Sequence, residues 1–234
     1  MTNKTNEIIS WIKKICGDKQ VVIGVSGGVD SAVTLTLITK ALGKDRVLPI
    51  CLPYKNQDMT DAKLIIDFNG YGREYQEVNI EKIVDETVDS LSIDDDLRKG
   101  NVMARTRMIV LFDTAKKIGG LVCGTENKSE HYLGYFTRFG DAASDLEPIA
   151  SLYKTEVWQM AKELGLPEIF YTKKPSAGLW EGQSDEDEMG FSYEVADKVL
   201  QGKFDGIDPD IVQQVKARVE RNKFKLEVPF TFSY

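Results

Sequence analysis

The run Gly24-Val25-Ser26-Gly27-Gly28-Val29-Asp30-Ser31 constrains this 234-residue chain more than any other stretch. It closes an apolar run, Gln20 to Val25, that reads as a buried strand, and it opens a helical pattern from Asp30 to Leu42 that Gly43 stops. A glycine-rich turn between strand and helix is where bare backbone N–H groups and the helix dipole bind phosphate. Gly27 and Gly28 allow backbone conformations that bring those donors close to an anion. The loop is not a Walker A motif: counted from Gly24, Val29 and Asp30 stand where Gly and Lys are required. Nor is it a dinucleotide fingerprint, since Ser26 replaces the second glycine. Asp30 is the informative departure. A carboxylate at a phosphate-binding helix start repels the ligand unless a divalent cation bridges them, as Mg²⁺ does with one or two carboxylates plus phosphate oxygens. The bland alternative is a tight strand-to-helix turn with a first-turn acid favoured by the dipole.

The rest of the chain alternates in the same way. Arg46 to Leu52 reads as a second strand closed by Pro53, followed by a helix over Asp58 to Asn69 that ends at Gly70. Glu74 to Ile80 reads as a third strand, and the acidic segment Glu81 to Asp96 as helix and then exposed, mobile loop. A long helix from Asn101 to Ile118 ends at Gly119-Gly120, and Leu121 to Cys123 is the fourth strand. Beyond Gly124 the pattern loosens into loop until a helix over Tyr153 to Leu164 and a segment from Thr172 to Gly190. Two more helices follow, one after Ser192 and one opened by Asp208-Pro209, a cap and first-turn pair. Strands separated by helices predict an α/β, doubly wound, mostly parallel sheet covered on both faces. With no internal repeat or linker in view, residues 1–234 are expected to form one domain with helical C-terminal decoration.

Composition removes several classes of function. A formal net charge of −7 argues against nucleic acid as a partner by bulk charge. The longest apolar runs, such as Val21 to Val25, fall far short of the ~20 residues that span a bilayer. The polar start, Met1 to Glu7, lacks a signal-peptide apolar stretch, and the expectation is a cytoplasmic protein. Cys16, Cys51 and Cys123 have no metal-binding spacing and sit in or beside apolar runs, which predicts buried free thiols. His131 is the only histidine, so a histidine-rich metal site is excluded.

The Ser-Gly-Gly-X-Asp-Ser core of the loop, Ser26 to Ser31, resembles the pyrophosphate loop of the ATP pyrophosphatases, which release PPi and leave AMP on a substrate. Three further stretches narrow that group. Gly100 to Met108, at the start of the long helix, carries Arg105 and Arg107, two apart and so on roughly opposite faces. Gly124-Thr125-Glu126-Asn127-Lys128-Ser129-Glu130 follows the fourth strand at its C-terminal end, where α/β sheets place ligands at a switch in strand order. If strands two and three lie on one side of strand one and strand four on the other, this loop faces the Ser26 loop. Glu130 is then a candidate second carboxylate beside Asp30, although alone it reads as a surface acid. Tyr153 to Val157 and the acidic stretch Pro175 to Glu188 complete the set, with Ser184 and Asp187 expected to form a box-like cap.

Together, and in this order from Gly24 to Glu194, these motifs resemble the ammonia-dependent NAD(+) synthetases. The resemblance implies an adenine nucleotide alpha-hydrolase-like fold and a homodimer whose interface helps build the deamido-NAD site. It implies ATP binding by Gly24, Val25, Ser26, Gly27, Gly28, Val29, Asp30 and Ser31, with Thr125, Lys154 and Ser176 also on ATP. Asp30 and Glu130 would hold Mg²⁺, and Arg105 would contact deamido-NAD. Arg138, Asp145 and Lys225 match further deamido-NAD positions less closely: several members carry Lys for Arg138, and His-Lys where this chain has Phe224-Lys225.

The implied chemistry is amidation of the nicotinate carboxylate through an acyl-adenylate, and no side-chain nucleophile is needed. A chain of 234 residues has no room for a glutaminase domain, so free ammonia or a separate glutaminase chain is the expected donor. Within the group, an ATP-dependent tRNA thiolase or lysidine-type ligase is the alternative, and it calls for tRNA-binding appendages or redox cysteines. Outside it stands a non-catalytic adenine-nucleotide sensor, which binds ATP without releasing PPi.

Overall fold

The computed structural model describes residues 3–176, 182 and 184–227. Four parallel strands form the sheet: β1 (Val21–Gly24), β2 (Val47–Cys51), β3 (Gln76–Glu77) and β4 (Leu121–Cys123), in the order β3-β2-β1-β4. The order reverses at β1, with β2 and β3 on one side and β4 on the other. The crevice above the β1 and β4 ends is therefore the place where loops from both halves meet.

Residue alternation along β1 explains the layers. Val21 and Ile23 point into one cluster and Val22 into the other, and all three are fully buried. The first face is covered by α1 (Asn3–Cys16), α2 (Val29–Leu42), α3 (Thr60–Phe68), α7 (Lys154–Glu163) and α8 (Ile169–Thr172), through residues such as Ile12, Leu35, Ile65, Val157 and Phe170. The second face is covered by α4 (Glu81–Ser90) and α5 (Asp96–Ile118), through Val84, Met103, Leu111 and Ala115. Each fully buried aliphatic side chain here contributes about 1.5–3 kcal/mol. A third cluster lies beside the sheet, formed by α6 (Lys128–Leu133), α9 (Asp185–Met189), α10 (Tyr193–Leu200) and α11 (Pro209–Asn222) around Tyr193, with Trp158 of α7 joining it to the first.

Several expectations need correction. The third strand shrinks from Glu74–Ile80 to Gln76–Glu77, because this exposed edge makes few ladder bonds. α5 begins at Asp96 and not at Asn101, since the Asp95 side chain accepts from the Arg98 N–H at 2.7 Å and caps it; the expected loop is confined to residues 91–95, between α4 and α5. The stretch after Gly124 is not all loop: Asn127 and Glu130 make a capping box that starts α6. Ser184 stands at the N-cap of α9, but its hydroxyl, buried, makes no cap bond, so the expected box with Asp187 is absent. The three cysteines are buried and free, as expected from their apolar settings.

Candidate functional site

The glycine loop leaves β1 with one more sheet bond, from the Val25 N–H to the Ile50 carbonyl at 2.9 Å, and then turns. Gly27 has φ +88°, and a Cβ there would lie 2.9 Å from the Ala62 backbone nitrogen, so the turn needs glycine on both counts. Gly28 does not share that need: its φ is −80°, and it serves as the N-cap of α2. Ser26 accepts from the Gly28 N–H at 3.2 Å, and Ser31 donates to the Gly28 carbonyl at 3.0 Å, which shapes the loop from within. No side chain caps α2, so its first-turn amides face the crevice without an internal acceptor of that kind.

Asp30 sits in that first turn and meets two residues far away in sequence. Its Oδ2 accepts from Lys154 Nζ at 2.6 Å, and its Oδ1 from Asn127 Nδ2 at 2.8 Å. Lys154 also donates to Glu130 Oε1 at 2.9 Å. The side chains of Lys154, Asp30 and Glu130 are 3%, 15% and 16% exposed, so this ion triad is largely removed from water. Burial disfavours the Lys154 charge, but the two carboxylates outweigh it and hold the ammonium above its ordinary range. Burial, and next the Asp30 charge, push the Glu130 carboxyl upward against the pull of Lys154. The Tyr193 ring lies 5.0 Å from the same ammonium, and the Tyr193 hydroxyl donates to Asp185 at 3.3 Å.

This donor set suits a hard divalent cation that arrives with phosphate. Two carboxylates face one small polar volume, and the Lys154 ammonium lies between them. Among the described residues, no group of three or more His, Cys, Asp or Glu is placed to hold a metal, so a cation here must take its remaining oxygens from substrate and water.

Asn127 escaped the sequence reading. Fully buried, it caps α6 through Oδ1, which accepts from the Glu130 N–H at 3.0 Å, while its Nδ2 holds Asp30. The signal was present as Asn followed three residues later by Glu.

The candidates for the acceptor end lie apart from the triad. Arg105 is exposed on α5 and donates to the Arg138 carbonyl at 3.1 Å, while Arg138 donates to the Glu227 carbonyl at 3.1 Å. Arg107 is no solvated charge: it donates to the Leu52 carbonyl at 3.1 Å and to Gln57 Oε1 at 3.0 Å, tying α5 to the end of β2. Asp145 accepts from the Val122 N–H at 2.8 Å, and Lys225 donates to the Gly134 and Phe136 carbonyls at 2.6 and 2.9 Å. Thr125 is half-buried in the loop after β4, and Ser176 is exposed at the edge of the described segment. Ala177 to Glu181 and Gln183, within the acidic stretch Pro175 to Glu188, lie outside the described residues.

Below the loop after β4, Glu147 accepts from Ser144 Oγ at 2.8 Å and from the Glu126 N–H at 3.0 Å. Burial pushes its carboxyl up to about 8. A Cβ at Gly124 would fall 1.8 Å from Glu147 Oε1, so this glycine makes room for the carboxylate.

Known proteins bear on this arrangement. The family described as NAD synthase matches residues 2–229. An NH(3)-dependent NAD(+) synthetase from Pyrococcus horikoshii is 47% identical over 232 residues, covering 93% of this chain and 90% of that protein. Among solved structures, the NMN synthetase from Francisella tularensis superposes with a TM-score of 0.90 at 33% identity, covering 99% of this chain and 98% of that one. The NH3-dependent NAD synthetase from Campylobacter jejuni does so with a TM-score of 0.83 at 31% identity, covering 98% of each chain.

Proposed function

This chain belongs to the NAD synthase family, and from that premise we propose how its own residues carry the reaction, the ATP-dependent amidation of deamido-NAD by ammonia. The reaction yields NAD, AMP and PPi and is the last step of NAD biosynthesis. A carboxylate is a poor electrophile towards ammonia. The nicotinate oxygen therefore attacks the α-phosphorus of ATP, PPi leaves, and ammonia then displaces AMP from the acyl carbon. The enzyme has to hold two polyanions in line and offset charge on phosphate.

The observation that carries this reading is the buried triad of Asp30, Glu130 and Lys154 at the mouth of the glycine loop. The glycine loop, Gly24 to Ser31, receives the phosphates, chiefly through the first-turn amides of α2. Asp30 and Glu130 would hold Mg²⁺, which would supply charge neutralisation at the pyrophosphate, and Lys154 would turn from its carboxylates to the phosphate oxygens. Thr125 and Ser176 complete the ATP contacts. Arg105 takes the deamido-NAD end, with Arg138, Asp145 and Lys225 lining it. The charged groups of that rim already hold backbone partners, so they shape the acceptor site as much as bind in it.

A homodimer fits the same geometry. Arg105, Ile109 and Phe112 follow at i, i+4 and i+7 on α5, and Ile109 is 61% exposed, so the arginine shares a stripe with apolar side chains that a second copy would cover. Residues 1–234 act as one unit on this reading. No helix among the described residues is long and apolar enough to cross a membrane, in keeping with work in the cytoplasm.

The test is direct. Protein, ATP, Mg²⁺, ammonium and deamido-NAD should give NAD and PPi in equal amounts, with glutamine a poor substitute for ammonium. No NAD above background from folded protein refutes the assignment. The fold similarity to the NMN synthetase supports a second acceptor, so nicotinate mononucleotide belongs in a parallel arm. A higher kcat/KM for the mononucleotide reassigns the preferred substrate.

A further inference from the structure

Asp197 lies in α10, outside both the glycine loop and the ion triad, and is 1% exposed. A carboxylate this buried must be matched by donors. Its Oδ2 accepts from the Thr155 N–H at 2.9 Å and from the Thr155 hydroxyl at 2.7 Å, and its Oδ1 accepts from the Ser129 hydroxyl. Ser129 Oγ in turn accepts from the Lys154 N–H at 2.9 Å.

The placement of those donors matters more than their number. Ser129 is the second residue of α6, and Glu130 is the next one. Thr155 is the second residue of α7, and Lys154 is the one before it. Asp197 therefore ties together the first turns of the two helices that each deliver one member of the triad to Asp30. α6 has only 6 residues, too few to hold its own orientation against α7 by helix propensity.

We propose that Asp197 is a positioning residue for the ATP end: through Ser129 and Thr155 it fixes the spacing between Glu130 and Lys154. It touches neither substrate. Its carboxylate does for α6 and α7 what a partner carboxylate does for a metal-ligating histidine, holding an orientation that the reacting groups use. The inference rests on the proposed ATP role of the triad.

Asp197→Asn keeps the shape but replaces the charged carboxylate with an amide whose nitrogen can only donate, so the charge-assisted ties to both helices weaken while Tyr193, Ala196 and Val199 still pack. The expected result is a rise in KM for MgATP of about tenfold, with the KM for deamido-NAD unchanged. Loss of kcat in proportion to lost folded protein, with both KM values at wild-type level, overturns the proposal, because a merely structural role removes active molecules without altering those that remain. Thr155 offers a second route should Asp197→Asn fail to fold. Thr155→Ser keeps the donors and is expected to match wild type, whereas Thr155→Val is expected to raise the MgATP KM; equal KM values for the two overturn it. MgATP binding by calorimetry on the same proteins separates the two readings. Wild type that binds MgATP but forms no NAD sinks the assigned reaction, while weaker binding by Thr155→Val and not by Thr155→Ser still upholds the positioning role.

Discussion

The proposed ATP end and the proposed acceptor rim of this crevice are built in opposite ways. At the ATP end, Asp30, Asn127, Glu130 and Lys154 are mostly buried, come from three separate helices or their caps, and bond to one another. At the rim, Arg105, Arg138 and Lys225 donate to backbone carbonyls, Asp145 accepts from a backbone N–H, and much of the surface stays exposed. The first region is a preformed charge cluster, and the second is a scaffold edge with a few groups turned outward. Preorganised charge is what stabilises phosphate chemistry. In the proposed homodimer, a second subunit would complete the rim around the acceptor.

The largest expected effect tests the first half of this contrast. Lys154→Met should lower kcat/KM by about 10²–10³-fold, the scale for losing one preorganised charge. The same variant should bind Mn²⁺ without ATP more tightly than wild type, because Asp30 and Glu130 lose their internal counter-ion; electron paramagnetic resonance of free Mn²⁺ reads this. Unchanged Mn²⁺ binding would break the view that the lysine and the cation share one place. A smaller effect tests the rim. Arg105→Ala should raise the KM for deamido-NAD by about tenfold, the worth of one charged hydrogen bond, and leave the KM for ATP alone. A rise in both would erase the division between the regions.

The smallest effect concerns Glu147, at the floor between them. Its carboxyl is raised in the folded protein, so between about pH 4.5 and pH 8 the folded state holds a proton that the unfolded chain has released. The stability from this group is full below that window and lost as pH rises through it. Glu147→Gln removes the dependence. Denaturant melts at pH 5.5 and 8.5 should show wild type losing on the order of 1 kcal/mol more than the variant, a figure reduced for partial exposure.

How much was readable in advance follows the same division. β4 is found where its apolar run predicts, and the strand order agrees with the placement that brings the Gly124 loop opposite the Ser26 loop. The first rests on local pattern, whereas the second was one placement among those the sequence left open, because strand order is set by packing between distant segments. Asp30 followed from the chemistry of the glycine loop, Glu130 from its place across the crevice and Lys154 from a resemblance, but their ion pairs are long-range contacts that no local period encodes. Asn127 and Asp197 were missed for different reasons. Asn127 carried a capping signal hidden in a stretch that looked irregular. Asp197 reads as one polar residue in an amphipathic helix, and only the arrival of α6 and α7 gives it partners. Arg107 was weighed as a surface charge because its carbonyl partner, Leu52, lies 55 positions away.

That separation along the chain has a consequence for how the enzyme comes into being. The bonds at the ATP end join residues 97, 124 and 68 positions apart: Asp30 with Asn127, Asp30 with Lys154, and Ser129 with Asp197. Contacts of such high sequence separation form late, after the loops between them have closed. On the proposed reading, a nascent chain that has made the glycine loop and the whole sheet would still lack its nucleotide site until α10 has left the ribosome. Partly folded molecules would then not sequester ATP, and ligand added during refolding would act at the last step, drawing the completed fold forward by mass action.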